Sequence, residues 1–558
     1  MFVRALRGRA RPGVRPYRAH IGAEPGLSAR VLHDQAAARS YIHRREPLFT
    51  DVNLAATNAG SRRLYAAVAG CAVVVYLGAL WNGFAVDDVP IILLNPLVAH
   101  ASGIWRAFAA PYWPPDLGGH MYRPLVIAGF ALDRLLGSTA WFHAVNLVWH
   151  AAASVAVAAL ARRWTDWMGA LVAGLLFAVH PVHVEAVANV VGRAELMAAL
   201  FTLVAVYAAL VHDSVAWSAA ALALGLLSKE NAAVAPALIV WGWLLGLARP
   251  ERRRVAWFVA SWVIVGGAYA VARAAVRHPF AEYESIAPMF VGEPGLTVRL
   301  TAVSAFTDVL RLLIFPRTLR VDYSPDERTA VTTPLDWRFV GGLLCALAWV
   351  GALVVAWRRG RKLEAFGLGW TAIALLPVAN LLYPAGFYLA ERTLYLPSAG
   401  FVLAAAAWLA RLRRDQLRPV AAALVLLGGV RSALRVPWWR DDAHVTRSIL
   451  RDSPRSYVGH KRMIGLFLDR RQPALALDAA RLAARLDQRD AGVYVTGSVA
   501  AFAAGDARAA DTLLAGLERL CHGGCLGYYR SEAAVARAHG YPEAADSLLA
   551  RLRRLTRP

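Results

Sequence analysis

Apolar residues gather into eleven blocks, near residues 64–81, 142–161, 167–180, 196–212, 215–228, 232–247, 255–276, 338–357, 364–383, 394–410 and 419–435. They lack the alternation of half-buried strands, and most approach the roughly 17–25 residues a helix needs to cross a bilayer. The pattern predicts an all-α polytopic membrane protein with about 11 transmembrane helices. Residues 124–136 are also apolar but carry Asp133 and Arg134; they predict an amphipathic helix lying along the outer surface. Residues 1–60 are Arg-rich and without apolar periodicity, and predict a disordered tail. The first block follows Arg62 and Arg63 and has no A-x-A exit, so it predicts an anchor with a cytoplasmic N-terminus, not a cleaved leader.

Charge fixes the orientation. The net charge is +23, and the basic clusters Arg162–Arg163, Arg249–Arg254, Arg358–Lys362 and Arg411–Arg418 fall between blocks. Counting eleven spans from a cytoplasmic N-terminus puts all four on the cytoplasmic side, as the positive-inside rule requires. Counting 124–136 as a span would invert every later loop. The basic excess is thus assigned to loops and not to nucleic acid. The outer face then holds residues 82–141, 181–195, 229–231, 277–337, 384–393 and everything after 436, in an inner (cytoplasmic) membrane with a periplasmic C-terminus. With 58% hydrophobic and 18% charged residues, soluble, disordered and disulfide-scaffold classes are excluded. Three units follow: a tail over 1–60, a membrane domain over 61–436 with its long outer loop at 82–141, and a C-terminal region over 437–558.

That last region repeats itself. Gly505–Leu514 and Gly540–Leu549 lie 35 residues apart and match at seven of ten positions, counting Ser for Thr. Ala474–Ala480 is a weaker copy 34 residues before Arg508. A period near 34, with small residues where helices meet, predicts tetratricopeptide-type hairpins offering a groove to an extended peptide. Cys521 and Cys525 suit either a small disulfide loop or two free thiols.

The polar residues of the outer segments supply candidate chemistry. Asp87 and Asp88 follow the first span and suit a general base at the membrane surface; alone, they also suit a plain helix-ending pair. His180, His183 and Glu185 have a spacing that could hold a divalent metal. Pro181 breaks the helix face and no third histidine or cysteine is near, so a polar turn facing substrate is favoured, and Glu195 joins it. Arg123, Arg193, Lys229 and Arg392 put cations on the same face, with Glu230 beside Lys229 and Glu391 expected to hold Arg392. Each could be an interfacial anchor or a local pair. Four segments converging on one face instead suggest a lipid-borne phosphate. Asn146 and His150, inside a span, predict interhelical hydrogen bonds. There is no P-loop, G-x-G-x-x-G or G-x-S-x-G, so nucleotide-driven chemistry is unsupported.

These segments, in this order, resemble the transmembrane and tetratricopeptide-repeat (TMTC) O-mannosyltransferases of the GT-C class. The matching pieces are Val86-Asp87-Asp88, Tyr122-Arg123-Pro124-Leu125, Phe142–Leu147, Phe177–Val187, Val191–Glu195, Ser228-Lys229-Glu230 and Ala390–Ser398. The resemblance spans roughly residues 80–402 plus the repeats, although the repeat array is short, at about three units. It implies a GT-C-type bundle, a lipid-phosphate-linked sugar donor, a first outer loop carrying the catalytic carboxylate, and repeats facing the acceptor. A bacterial-looking composition makes the donor a polyprenyl-phosphate sugar and the acceptor an exported protein. On this reading Asp87 is the base of a one-step inverting transfer, and Asp88 shares that role or orients the acceptor. Arg193, Lys229, Arg392 and Arg123 bind the donor phosphate; no cofactor is assigned, and a divalent metal stays the lesser alternative. The alternatives are a GT-C transferase with a lipid or glycan acceptor, and a non-catalytic scaffold or transporter with a peptide-binding tail.

Overall fold

The computed structural model describes residues 50–114, 121–276, 287–323, 326–521 and 526–556. The tail expected over 1–60 lies outside the described residues as far as 49, and the helix holding the first apolar block begins at Thr50. Cys525 lies outside them too, as does the side chain of Cys521.

Among the described residues every regular element is helical, and each apolar block becomes helix. Six helices are long and apolar enough to cross a membrane: Gly60–Trp81, Thr139–Arg162, Val190–His212, Arg252–Ala275, Trp337–Arg358 and Arg414–Trp439. A seventh span is obtained if Trp167–Ala178 and Pro181–Ala188, bent by 44° at the proline, are taken together. The remaining blocks give shorter helices, Val215–Ser228, Ala235–Leu244, Lys362–Leu375 and Tyr395–Leu409. Residues Pro124–Leu136 form a separate 13-residue helix, too short to span. Segment 277–337, expected as a loop, contains a further helix, Gly295–Ile314, which buries Val298, Ala302, Ala305, Val309 and Leu312 along one stripe.

The bundle packs through small residues. Helices Lys362–Leu375 and Tyr395–Leu409 cross where Gly367 meets Gly400, and a Cβ on Gly367 would lie 2.4 Å from the Gly400 carbonyl. Such contacts let backbones approach in a medium that gives no hydrophobic drive between helices. The four basic clusters meet at one end. Arg414 pairs with Asp166 at 3.8 Å, Arg411 with Glu364 at 3.1 Å, and Lys362 donates to the Gly246 carbonyl at 3.0 Å.

Past the bundle, Asp442–Asp452 leads into three helical hairpins: Tyr457–Asp469 with Pro473–Leu486, Ala491–Ala503 with Ala507–Cys521, and Leu526–Ala538 with Pro542–Leu555. Each hairpin turns through a left-handed residue, at Arg471, Gly505 and Gly540. The fully buried alanines Ala476, Ala510 and Ala545 follow the same period. The first copy is weak in sequence because Arg471 stands where the others have the glycine that adopts this backbone freely. The hairpin region docks on the loops around Gly295–Ile314: Arg455, in the link before the first hairpin, pairs with Asp326 at 2.7 Å, and Arg489, between the first and second, with Glu293 at 3.1 Å.

Candidate active site

The four cations singled out in the sequence all stand where a helix begins. Arg123 precedes Pro124, whose ring fits the first helical position and keeps its predecessor out of the α region. Arg193 opens its span; its neighbour Gly192 comes so close to the preceding helix Val184–Ala188 that a Cβ would lie 2.1 Å from the Ala186 carbonyl. Lys229 is extended between Val215–Ser228 and the turn Glu230–Val234. Arg392 lies in the turn Glu391–Leu394 that enters Tyr395–Leu409.

Every one of these cations has a carboxylate partner, and most partners are distant in sequence. Arg123 donates through two nitrogens to Glu230 Oε2, at 3.0 and 3.2 Å, and lies 5.0 Å over the Tyr112 ring. Lys229 pairs with Glu195, not with its neighbour Glu230. Arg392 pairs with Glu185, which also accepts from the Arg392 backbone N–H at 2.8 Å. The expected Glu391–Arg392 contact is absent: Glu391 is buried and accepts from the Arg320 backbone N–H and from the Tyr323 hydroxyl at 3.2 Å. Burial pushes the Glu391 carboxyl up to about 8, with Glu185 adding to the rise and Arg435 opposing it.

Arg193 differs from the rest. Its guanidinium pairs with Asp133 and also donates to Asn146 Oδ1 and the Phe142 carbonyl, both at 2.9 Å. Its side chain is 1% exposed, and this enclosure closes it to a ligand phosphate. The amphipathic helix Pro124–Leu136 is held by this pair. The side chains of Arg123 and Lys229 are 12% exposed and that of Arg392 is 33% exposed, so these three border open space.

The two adjacent aspartates also part. Asp88 is 1% exposed, and its carboxylate accepts from the backbone N–H groups of Ala85 at 3.1 Å, Val190 at 3.3 Å and Val191 at 2.8 Å. Burial raises its pKa to about 7 against those three bonds, with Asp87 adding to the rise. Asp88 thus ties the loop after the first span to the segment before Arg193, and it is too enclosed to take a proton from a substrate. Asp87 is half-buried, and among the described residues nothing hydrogen-bonds its carboxylate.

The charges share one field. Burial lowers the Lys229 pKa, with Glu195 opposing and Arg123 and Arg392 adding to the fall. Burial disfavours the Arg392 cation, but Glu185 and Asp87 outweigh it and raise its pKa. The buried Tyr112, without a motif to announce it, also feels Arg123, Asp87 and Asp88. Asp87 thus acts on Arg392 directly, and Arg392 in turn acts on Lys229.

The histidines serve the scaffold. His180 Nε2 meets the Leu313 carbonyl at 3.0 Å, and His183 Nε2 meets Ser398 Oγ at 2.7 Å. Glu185 is committed to Arg392, and no group of three or more His, Cys, Asp or Glu among the described residues could hold a metal ion. His150 joins the Tyr395 hydroxyl at 2.8 Å and Asn146 joins the Val190 carbonyl at 3.1 Å, the interhelical bonds expected of them.

No protein-family model matches the chain, and no solved structure matches it. Curated proteins do. It is 28% identical over 345 residues to Protein O-mannosyl-transferase F38B6.6 of Caenorhabditis elegans, covering 59% of this chain and 49% of that protein. It is 27% identical over 386 residues to human Protein O-mannosyl-transferase TMTC3, covering 61% and 42%. It is 27% identical over 508 residues to Protein O-mannosyl-transferase Tmtc1 of Drosophila melanogaster, covering 72% and 59%. The chain thus spans about half the length of the curated relatives it matches. By sequence this membrane protein is similar to the TMTC protein O-mannosyl-transferases, the resemblance its motifs carry.

Proposed function

We propose that this chain is an integral-membrane glycosyltransferase. It moves a sugar, mannose by analogy with its relatives' names, from a polyprenyl-phosphate donor to Ser or Thr hydroxyls of exported proteins. The observation that carries this reading is the split between the aspartates: one enclosed by backbone donors, the other half-exposed, without a hydrogen bond to its carboxylate among the described residues and in the field of Arg392. Asp87 accepts the acceptor's hydroxyl proton as that oxygen attacks the anomeric carbon, in one inverting step. The phosphate leaves with its charge held by Arg392, Lys229 and Arg123, preorganised by Glu185, Glu195 and Glu230. Arg193 and Asp88 position the loop and do not touch substrate.

The topology of this reading has about eleven helices through the inner membrane, five of them short or broken. The meeting of the basic clusters at one end supports a cytoplasmic assignment for that end and an outer assignment for the active site. The three hairpins act as tetratricopeptide-type repeats that receive the acceptor polypeptide. A non-catalytic scaffold would have no use for a half-exposed carboxylate acting on Arg392. The test is to add polyprenyl-phosphate [³H]mannose and an acceptor to the purified protein in detergent, with polyprenyl-phosphate glucose as a parallel donor. Label on Ser or Thr from the mannose donor supports the reading, and label on lipid alone redirects it to a lipid acceptor.

A further inference from the structure

The first outer loop is strained at one residue. Val86, immediately before Asp87, adopts φ = 57°, a left-handed conformation that a β-branched side chain resists and that persists only where surrounding contacts impose it. The contacts come from the far end of the membrane domain. The Val86 N–H donates to Asp442 Oδ1 at 2.8 Å. Beside it, the Gly83 N–H donates to the Arg440 carbonyl at 2.7 Å and Asn82 Nδ2 to the Val436 carbonyl at 3.2 Å. Asp442 is itself set by Arg462, whose guanidinium donates to the same Oδ1 at 2.9 Å from helix Tyr457–Asp469, in the first hairpin. A chain of contacts therefore runs from that hairpin through Asp442 to the residue next to Asp87.

We propose that Asp442 is a positioning residue for the catalytic carboxylate: by accepting from the Val86 N–H it imposes the left-handed turn that aims Asp87 into the site, and so makes the loop's active geometry depend on a seated first hairpin. This deepens the function proposed above and rests on Asp87 being the base. It also gives the link at 436–442 a purpose beyond joining two domains. A hairpin displaced from its seat withdraws Asp442, Val86 relaxes to ordinary extended backbone, and Asp87 turns away.

The test combines hydrogen exchange with kinetics on the full-length protein in detergent. Asp442→Ala should speed exchange across residues 83–94 while the helices over 457–555 keep wild-type protection. Turnover should fall on the order of 100-fold with KM nearly unchanged, as misplacing a reacting group does. Asp442→Asn keeps an acceptor oxygen and should retain turnover. Adding Val86→Gly to Asp442→Ala should restore much of the lost rate, because glycine takes the left-handed φ without strain. A merely structural role for Asp442 would not be rescued at residue 86. Unchanged exchange over 83–94, equal loosening of the hairpins, or loss in Asp442→Asn equal to that in Asp442→Ala would overturn the proposal. Absent transfer in the wild type would sink the functional reading alone, and the exchange pattern would still decide whether Asp442 holds the loop.

Discussion

Replacing Asp88 and Asp87 in turn separates a structural from a chemical carboxylate. Among the described residues the Asp88 carboxylate accepts from three backbone N–H groups, on the buried Ala85 and Val190 and the half-buried Val191. Stranding a buried donor costs about 1–3 kcal/mol, so Asp88→Ala should cost about 3–9 kcal/mol, the lower half being favoured because the Val190 bond is long. That is a large share of the roughly 5–15 kcal/mol that holds a typical domain folded. Asn in its place keeps one oxygen and one or two of the bonds, and should lose about 1–3 kcal/mol. Among the described residues the Asp87 carboxylate has no hydrogen-bond partner to lose, so Asp87→Asn should melt with wild type while abolishing transfer. Thermal unfolding in detergent, followed by tryptophan fluorescence, should rank the midpoints wild type and Asp87→Asn together, then Asp88→Asn, then Asp88→Ala. Wild-type melting of Asp88→Ala, or an Asp87→Asn midpoint below that of Asp88→Asn, would refute the assignment of the two roles.

The cations should divide in the same way. Arg392→Ala should lower kcat by about 10²–10³-fold, the effect of one lost charge-stabilising contact, with a small change in melting. Arg193→Ala strands the enclosed Asp133 and should instead destabilise by about 3–5 kcal/mol, read as a lower unfolding midpoint. Stability should also depend on pH. Asp88 and Glu391 are raised from 3.8 and 4.5 to about 7 and about 8, chiefly by burial. Raised folded pKa values favour the protonated form, so their contribution is complete below about pH 4 and is lost as pH rises through 7 and 8. The unfolding midpoint should fall between pH 5 and pH 9, and Glu391→Gln, which keeps an acceptor for the Arg320 N–H, should flatten that fall.

The sequence carried the cations better than their partners. Arg123, Lys229 and Arg392 were legible because a following proline, a lysine in an Arg-rich chain and a Glu-Arg step before a span are local signals. The carboxylates opposite them are 107, 34 and 207 residues away, and no local pattern encodes such pairings; hence the mistaken pairing of Glu391 with Arg392. Arg193 and Asp88 looked like site residues because their enclosure depends on packing against Asp133 and on the backbone at 190–191. The apolar blocks predict the helices and Pro181 predicts a broken helix face, but the 44° angle of that break is set only in the folded chain. Helix Gly295–Ile314 forms no continuous apolar block, because Thr, Ser, Asp and Arg separate its apolar positions along the sequence. The hairpin period was readable wherever glycine marks the turn, and faded where Arg471 takes its place. Asp442 could have been noticed as the second acidic pair at a membrane edge, with Asp441, yet its bond to Val86 exists only in the folded chain.

The central claim, that Asp87 is the base of a lipid-phosphate-dependent glycosyl transfer to protein, is tested most directly by supplying radiolabelled polyprenyl-phosphate mannose and a pool of exported proteins to wild type and Asp87→Asn side by side. Label on protein with the wild type only, while the variant still binds donor and melts with wild type, is the predicted result. Transfer by Asp87→Asn at near wild-type rate would contradict it.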